Sequence, residues 1–166
     1  MPTKKMEIRR MMTRLCNDEE TRTVRGIAVP YNEASHPIEG AARSFREVMS
    51  PGALSYDDAT VMLVQHDQDG IPLARVGSGT LRFRESSKGL EFEADLPDSR
   101  YDLHEALQRG DLDGSVSVGM YVDEDEWTHG SESSMRKVTR GRLIELSLVT
   151  AGAYQGARGE YGGSNG

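Results

Sequence analysis

Leu90, Phe92, Ala94 and Leu96 alternate strictly with Glu91, Glu93 and Asp95. Successive side chains of a β-strand point to opposite faces, so a period of two describes a half-buried strand and cannot give a helix one apolar side. The same period runs through residues 116–122. There Val116, Val118, Met120 and Val122 form an apolar face, and Ser117, Gly119 and Tyr121 the other. Residues 61–66 and 143–150 are two more apolar runs of strand length. A chain built this way has to bury its apolar faces by stacking or curling sheets.

Residues 21–30, rich in β-branched and small apolar side chains, predict another strand, with Gly26 as a weak point or bulge. Pro51-Gly52 marks a turn, and Ser86-Ser87-Lys88-Gly89 a hairpin turn. One helix is expected. Ser99 is its N-cap with Asp102 three positions on, Leu103, Ala106 and Leu107 share a face, and Gly110 closes it. Residues 123–134 read as a polar loop containing Trp127. Residues 1–18 read as a flexible polar arm, 19–154 as one domain and 155–166 as a disordered glycine-rich tail. Strands, one helix, then strands again predict an α+β fold around a mainly antiparallel sheet or barrel.

Composition narrows the classes. At 166 residues and 36% hydrophobic, the chain suits one core, and no apolar run approaches the roughly 20 residues that span a bilayer. No membrane partner and no export are expected, since the basic N-terminus leads into no signal-peptide core. Cys16 is the sole cysteine, which excludes an intrachain disulfide and a multi-thiolate zinc site. His36, His66, His104 and His129 lack metal-ligand spacing, so neither a metal nor a cofactor is expected. A net charge of -7 argues against nucleic-acid binding.

Three apolar segments carry chemically able side chains. His66 closes residues 61–66, on the face of Met62 and Val64, and an imidazole titrates close enough to neutrality to act as a general base. Ser115 and Ser117 lie on the small, polar face of their strand, and strand geometry does not separate them. Gly119 would let a substrate backbone approach closely. Glu145 shares a face with Leu143, Ser147 and Val149 in a strand that is otherwise apolar, where a carboxylate needs a partner. Singly, each fits a plain structural role. Together they offer the base, hydroxyl and acid of an activated serine.

A set of local patterns follows a fixed order along the chain. It begins with Arg25-Gly26-Ile27-Ala28-Val29, Glu47-Val48-Met49-Ser50-Pro51-Gly52-Ala53-Leu54 and Val64-Gln65-His66-Asp67. Gly89-Leu90-Glu91-Phe92-Glu93-Ala94, Leu96-Pro97-Asp98 and Arg109-Gly110-Asp111 follow. Val116-Ser117-Val118-Gly119, Leu143-Ile144-Glu145-Leu146-Ser147-Leu148-Val149-Thr150 and Ala153-Tyr154 complete it, and the ordered set resembles the tailed-phage prohead proteases. Met120 stands where the family usually has an aromatic residue, and Gly152 where it usually has proline. Family members often carry a further C-terminal extension linked to scaffold association.

The resemblance implies a serine endopeptidase with His66 as base, Ser117 as nucleophile and Glu145 as third member. It implies a β-barrel flanked by helices, similar to the herpesvirus capsid protease, assemblin. The implied substrates are scaffold and major capsid protein, and the enzyme itself, cut inside the procapsid in the host cytoplasm. Assemblin's need for a dimer implies a homo-oligomer. The rival expectations are a catalytically silent capsid-assembly module of the same fold and an unrelated β-barrel binding domain.

Overall fold

A computed structural model describes residues 4–12, 16–40, 42–112, 115–131, 133–150 and 159–162. Strands dominate it. In chain order they are β1 (Glu7–Met12), β2 (Cys16–Asp18), β3 (Thr23–Pro30), β4 (Ile38–Glu39), β5 (Ser44–Met49) and β6 (Leu54–Ser55). Then come β7 (Val61–Val64), β8 (Ala74–Arg75), β9 (Leu81–Glu85), β10 (Gly89–Asp95), helix α1 (Tyr101–Arg109), β11 (Val116–His129), β12 (Ser134–Leu148) and β13 (Gly159–Gly162).

They form two sheets. The smaller has four antiparallel strands in the order β2-β3-β10-β9. The larger has nine, following β13-β1-β11-β12-β5-β4, with β6 and β7 also on β12 and β8 on β7. One apolar core joins them, with Met11, Val118 and Leu146 from the larger sheet and Val24, Leu81 and Phe92 from the smaller. The alternation in β10 does what its period requires: Leu90, Phe92 and Ala94 are buried between partly exposed acids.

The architecture is α+β, but the sheet is mixed and does not close among the described residues. Residues Phe45 to Val64 return three times to the same edge of β12, as β5, β6 and β7, and each time run parallel to it. β13 is likewise parallel to β1. Alternation fixes which side chains are buried, but not strand direction, so a mainly antiparallel architecture still contains these four parallel pairings. The edge strands β13 and β4 approach each other without a hydrogen-bonded ladder, so the large sheet curls instead of forming a barrel.

Other expectations need correction. The stretch read as an arm supplies β1 and β2, and β1 pairs with β11 in the large sheet. Two of its charges are not solvated: Arg9 and Arg10 are each 5% exposed, and Arg9 bonds the fully buried Glu47 of β5 through Nε at 2.8 Å. Part of the glycine-rich tail, Gly159–Gly162, pairs with β1, and the rest lies outside the described residues. Within the stretch read as a loop, residues 123–129 belong to β11 and Ser134 opens β12, and the two strands form a long hairpin. Backbone pairing does not depend on apolar side chains. Asp125 with Arg136 and Glu124 with Arg140 link the two arms instead.

The bulge between β3 and β10 falls at Ala28, where Leu90 pairs with Val29 and Glu91 with Ile27, not at Gly26. Helix α1 ends as expected on Gly110 in the left-handed region (φ 80°). It starts from Arg100, not Ser99, and Arg100 carries no side-chain cap; its guanidinium pairs with Asp102. No helix among the described residues is long and apolar enough to cross a membrane.

Candidate active site

β7, β12 and β11 lie side by side, which brings the three chemically able segments together. The register sets Ser117 opposite Ser147, Glu145 opposite Gly119, and Ser147 opposite Leu63. Paired residues project to one side of a sheet, so Ser117, Gly119, Glu145 and Ser147 share a face. A bulge lies just beyond this face. Met120 pairs with Leu143 and Gly119 with Glu145, so Ile144 is the extra residue. It breaks the alternation and brings Leu143 into register with the core-facing Met120 instead of grouping it with Glu145.

His66 does not end a strand. β7 stops at Val64, and Gln65 and His66 both take left-handed backbone, with φ 54° and 58°. The Asp67 N–H returns to the Val64 carbonyl at 3.0 Å, closing a tight turn. Non-glycine residues in this region cost about 1–2 kcal/mol each, so the turn needs outside support. The Gln65 N–H donates to the Leu148 carbonyl at 3.0 Å, and its side-chain amide to Thr150 Oγ1 at 3.0 Å. The His66 N–H donates to Ser147 Oγ at 3.0 Å. The turn lifts the imidazole out of strand alternation and lays it over β12 toward β11.

There the ring is held at both nitrogens. The Ser117 hydroxyl lies 2.8 Å from Nε2, and Nδ1 bonds Glu145 Oε1. A carboxylate can only accept, so Nδ1 carries the proton and Nε2 offers its lone pair to Ser117. Glu145 is 1% exposed, yet its second oxygen, Oε2, also accepts a hydrogen bond, from Ser147 Oγ at 2.7 Å. Both oxygens of a buried acid are thereby satisfied, as its desolvation requires. Ser117 and Ser147 are fully buried, and the His66 side chain is 9% exposed.

Ser115 is engaged differently. It accepts from Arg10 of β1, whose Nη2 lies 3.2 Å from its hydroxyl. Arg10 is in register with Ser117 and 5% exposed, so a cation flanks Ser117 on the side away from Glu145. Gly119, expected to admit a substrate backbone, makes room for the carboxylate: a β-carbon there would come within 2.7 Å of Glu145 Oε1. Asp67 stays in its own turn, accepting from the Asp69 and Gly70 N–H groups at 3.0 and 3.2 Å.

Arg10 and Ser147 were not singled out by sequence reasoning. Ser147 carried a readable signal, two positions after Glu145 in an apolar strand. Arg10 carried none, because its strand looked like a solvated arm. Among the described residues no cluster of three or more His, Cys, Asp or Glu could hold a metal ion. Cavities of about 560 Å³, beside Phe45 and Trp127, and about 520 Å³, around Cys16 and Phe83, lie elsewhere and are not lined by His66, Ser117 or Glu145.

The arrangement can take a proton from a serine hydroxyl and hold the resulting imidazolium against a buried carboxylate. A family model described as caudovirus prohead serine protease matches residues 6–162. Searches of curated proteins and of solved structures gave no match.

Proposed function

Because the chain belongs to the caudovirus prohead serine protease family, we propose that Ser117, His66 and Glu145 carry its peptidase chemistry. The observation that supports this most is the imidazole bonded at Nε2 to Ser117 and at Nδ1 to Glu145. Ser117 Oγ attacks the scissile carbonyl while His66 Nε2 takes its proton. The tetrahedral intermediate collapses as His66 gives that proton to the leaving amine. Water then enters by the same route in reverse and releases the acyl group from Ser117. Glu145 holds the Nδ1–H tautomer and stabilises the imidazolium.

The family's role is capsid maturation, with capsid proteins as substrates inside the procapsid. We take the scaffold, the major capsid protein and the enzyme itself to be cut, and the active form to be a homo-oligomer. Full burial of Ser117 supports a restrained enzyme, because a peptide cannot reach a hydroxyl that has no exposed surface. Kinship with the assemblin fold is part of the same proposal. The intact set of three side chains favours an enzyme over a silent module, which has no need of a buried carboxylate facing an imidazole.

Co-expression with the cognate capsid protein tests the reading. Ser117→Ala is expected to leave the substrate uncut, and Ser115→Ala to cut it. Normal processing by the Ser117→Ala chain would overturn the assignment.

A further inference from the structure

We propose that Ser147 is a fourth residue of the site, a positioning residue that fixes Glu145 and His66 at once. The inference rests on the Ser117–His66–Glu145 reading and extends it. One hydroxyl makes both contacts. It donates to Glu145 Oε2 at 2.7 Å and accepts the His66 backbone N–H at 3.0 Å. A hydroxyl has one proton and two lone pairs, so both bonds form together without competition. Ser147 is fully buried, so both bonds are shielded from bulk solvent.

Each contact meets a specific need. Glu145 has two oxygens, and His66 Nδ1 uses only Oε1. Without a second donor the carboxylate is free to rotate, and its other oxygen is left buried and unsatisfied. Ser147 therefore fixes the plane of the carboxylate, and with it the direction from which Nδ1 is held. At the other end, His66 sits in left-handed backbone, φ 58°, which its own residue type does not enforce. The bond from its N–H to Ser147 ties that backbone to β12, the strand that carries Glu145. The imidazole's root and its acidic partner are then referenced to one atom. Ser147 is also in register with Ser117, so the nucleophile's strand is aligned at the same point.

An alanine keeps the strand and removes only the shared atom. A conservative hydroxyl restores it. Labelling by a fluorophosphonate probe, which forms a Ser117 Oγ–phosphorus bond with loss of fluoride, separates binding (KI) from chemistry (kinact). With Ser147→Ala, kinact is expected to fall about 10- to 100-fold while KI stays within about twofold, because the interactions lost act on the reacting groups. Ser147→Thr is expected to recover most of the rate. Should the alanine chain fail to fold, Ser147→Cys fills the same space with a weak donor and is expected to label slowly. Wild-type kinact in whichever of the two folds overturns the inference, as does a loss that a folded Ser147→Thr does not repair. Wild-type protein that does not label at Ser117 overturns instead the underlying triad.

Discussion

Glu145 Oε1 occupies space that only a glycine at position 119 leaves open. An ideal β-carbon on Gly119 would lie 2.7 Å from that oxygen and 2.9 Å from Met6 Sδ. Met6 is flexible and can yield, but the carboxylate is pinned by His66 and Ser147. Gly119→Ala is therefore expected to displace Glu145 and cost about 100-fold in activity, with a stability loss of only about 1–3 kcal/mol. Probe labelling beside a thermal melt reads both. Full activity in a folded Gly119→Ala protein would show that the carboxylate position does not matter.

Glu145→Gln keeps the shape but not the charge that supports an imidazolium. Its activity is expected to drop about 100- to 10,000-fold, less than for Ser117→Ala. Wild-type rates would shift the third role elsewhere. Asp67 is a poor substitute, since its carboxylate is bound within its own turn.

Glu47 tests what holds β1 to the sheet. It is fully buried and takes hydrogen bonds from Arg9 at 2.8 and 3.2 Å and from Arg136 at 3.2 Å. Glu47→Leu leaves two mostly buried guanidinium groups short of an anion, and a loss of about 3–5 kcal/mol is expected in urea denaturation. A change below about 1 kcal/mol would mean that this network does not anchor the strand.

Glu7 gives the fold a pH dependence. Burial raises its pKa, but the hydrogen bond from Arg136 and the charges of Arg9 and Arg136 outweigh burial and hold it below the ordinary 4.5. A carboxyl lowered on folding adds stability above its unfolded pKa and loses it as pH falls through its folded pKa. The stability gap between wild type and Glu7→Gln should stay level above about pH 5 and close progressively below 4.5. A gap unchanged down to the acid transition would contradict this origin.

Self-association is testable by dilution. If the active form is an oligomer, specific activity should rise with protein concentration, in step with light-scattering mass. Constant specific activity from a monomer across the series would exclude it.

How much was legible depended on the kind of information. Burial faces followed from period two, as at Leu90, Phe92 and Ala94, because side-chain alternation is a property of the strand itself. His66, Ser115 or Ser117, and Glu145 were legible as able side chains in apolar segments, and the resemblance chose Ser117; that they meet in space is set by the pairing of β7, β12 and β11. What hid from the sequence was set by the backbone. The left-handed turn at Gln65 and His66, the bulge at Ile144 and the parallel return of β5, β6 and β7 leave no periodic trace. The hairpin beyond Val122 was hidden for the opposite reason. Its strands are polar on their exposed stretch and are joined through backbone and ion pairs.

The most direct measurement is to map where the fluorophosphonate adduct forms, by mass spectrometry of the digested, labelled protein. A single adduct on the Ser117 hydroxyl is expected. It should be absent in Ser117→Ala, strongly slowed in His66→Ala, and retained in Ser115→Ala. An adduct on Ser115 or Ser147, or undiminished Ser117 labelling without His66, would contradict the triad.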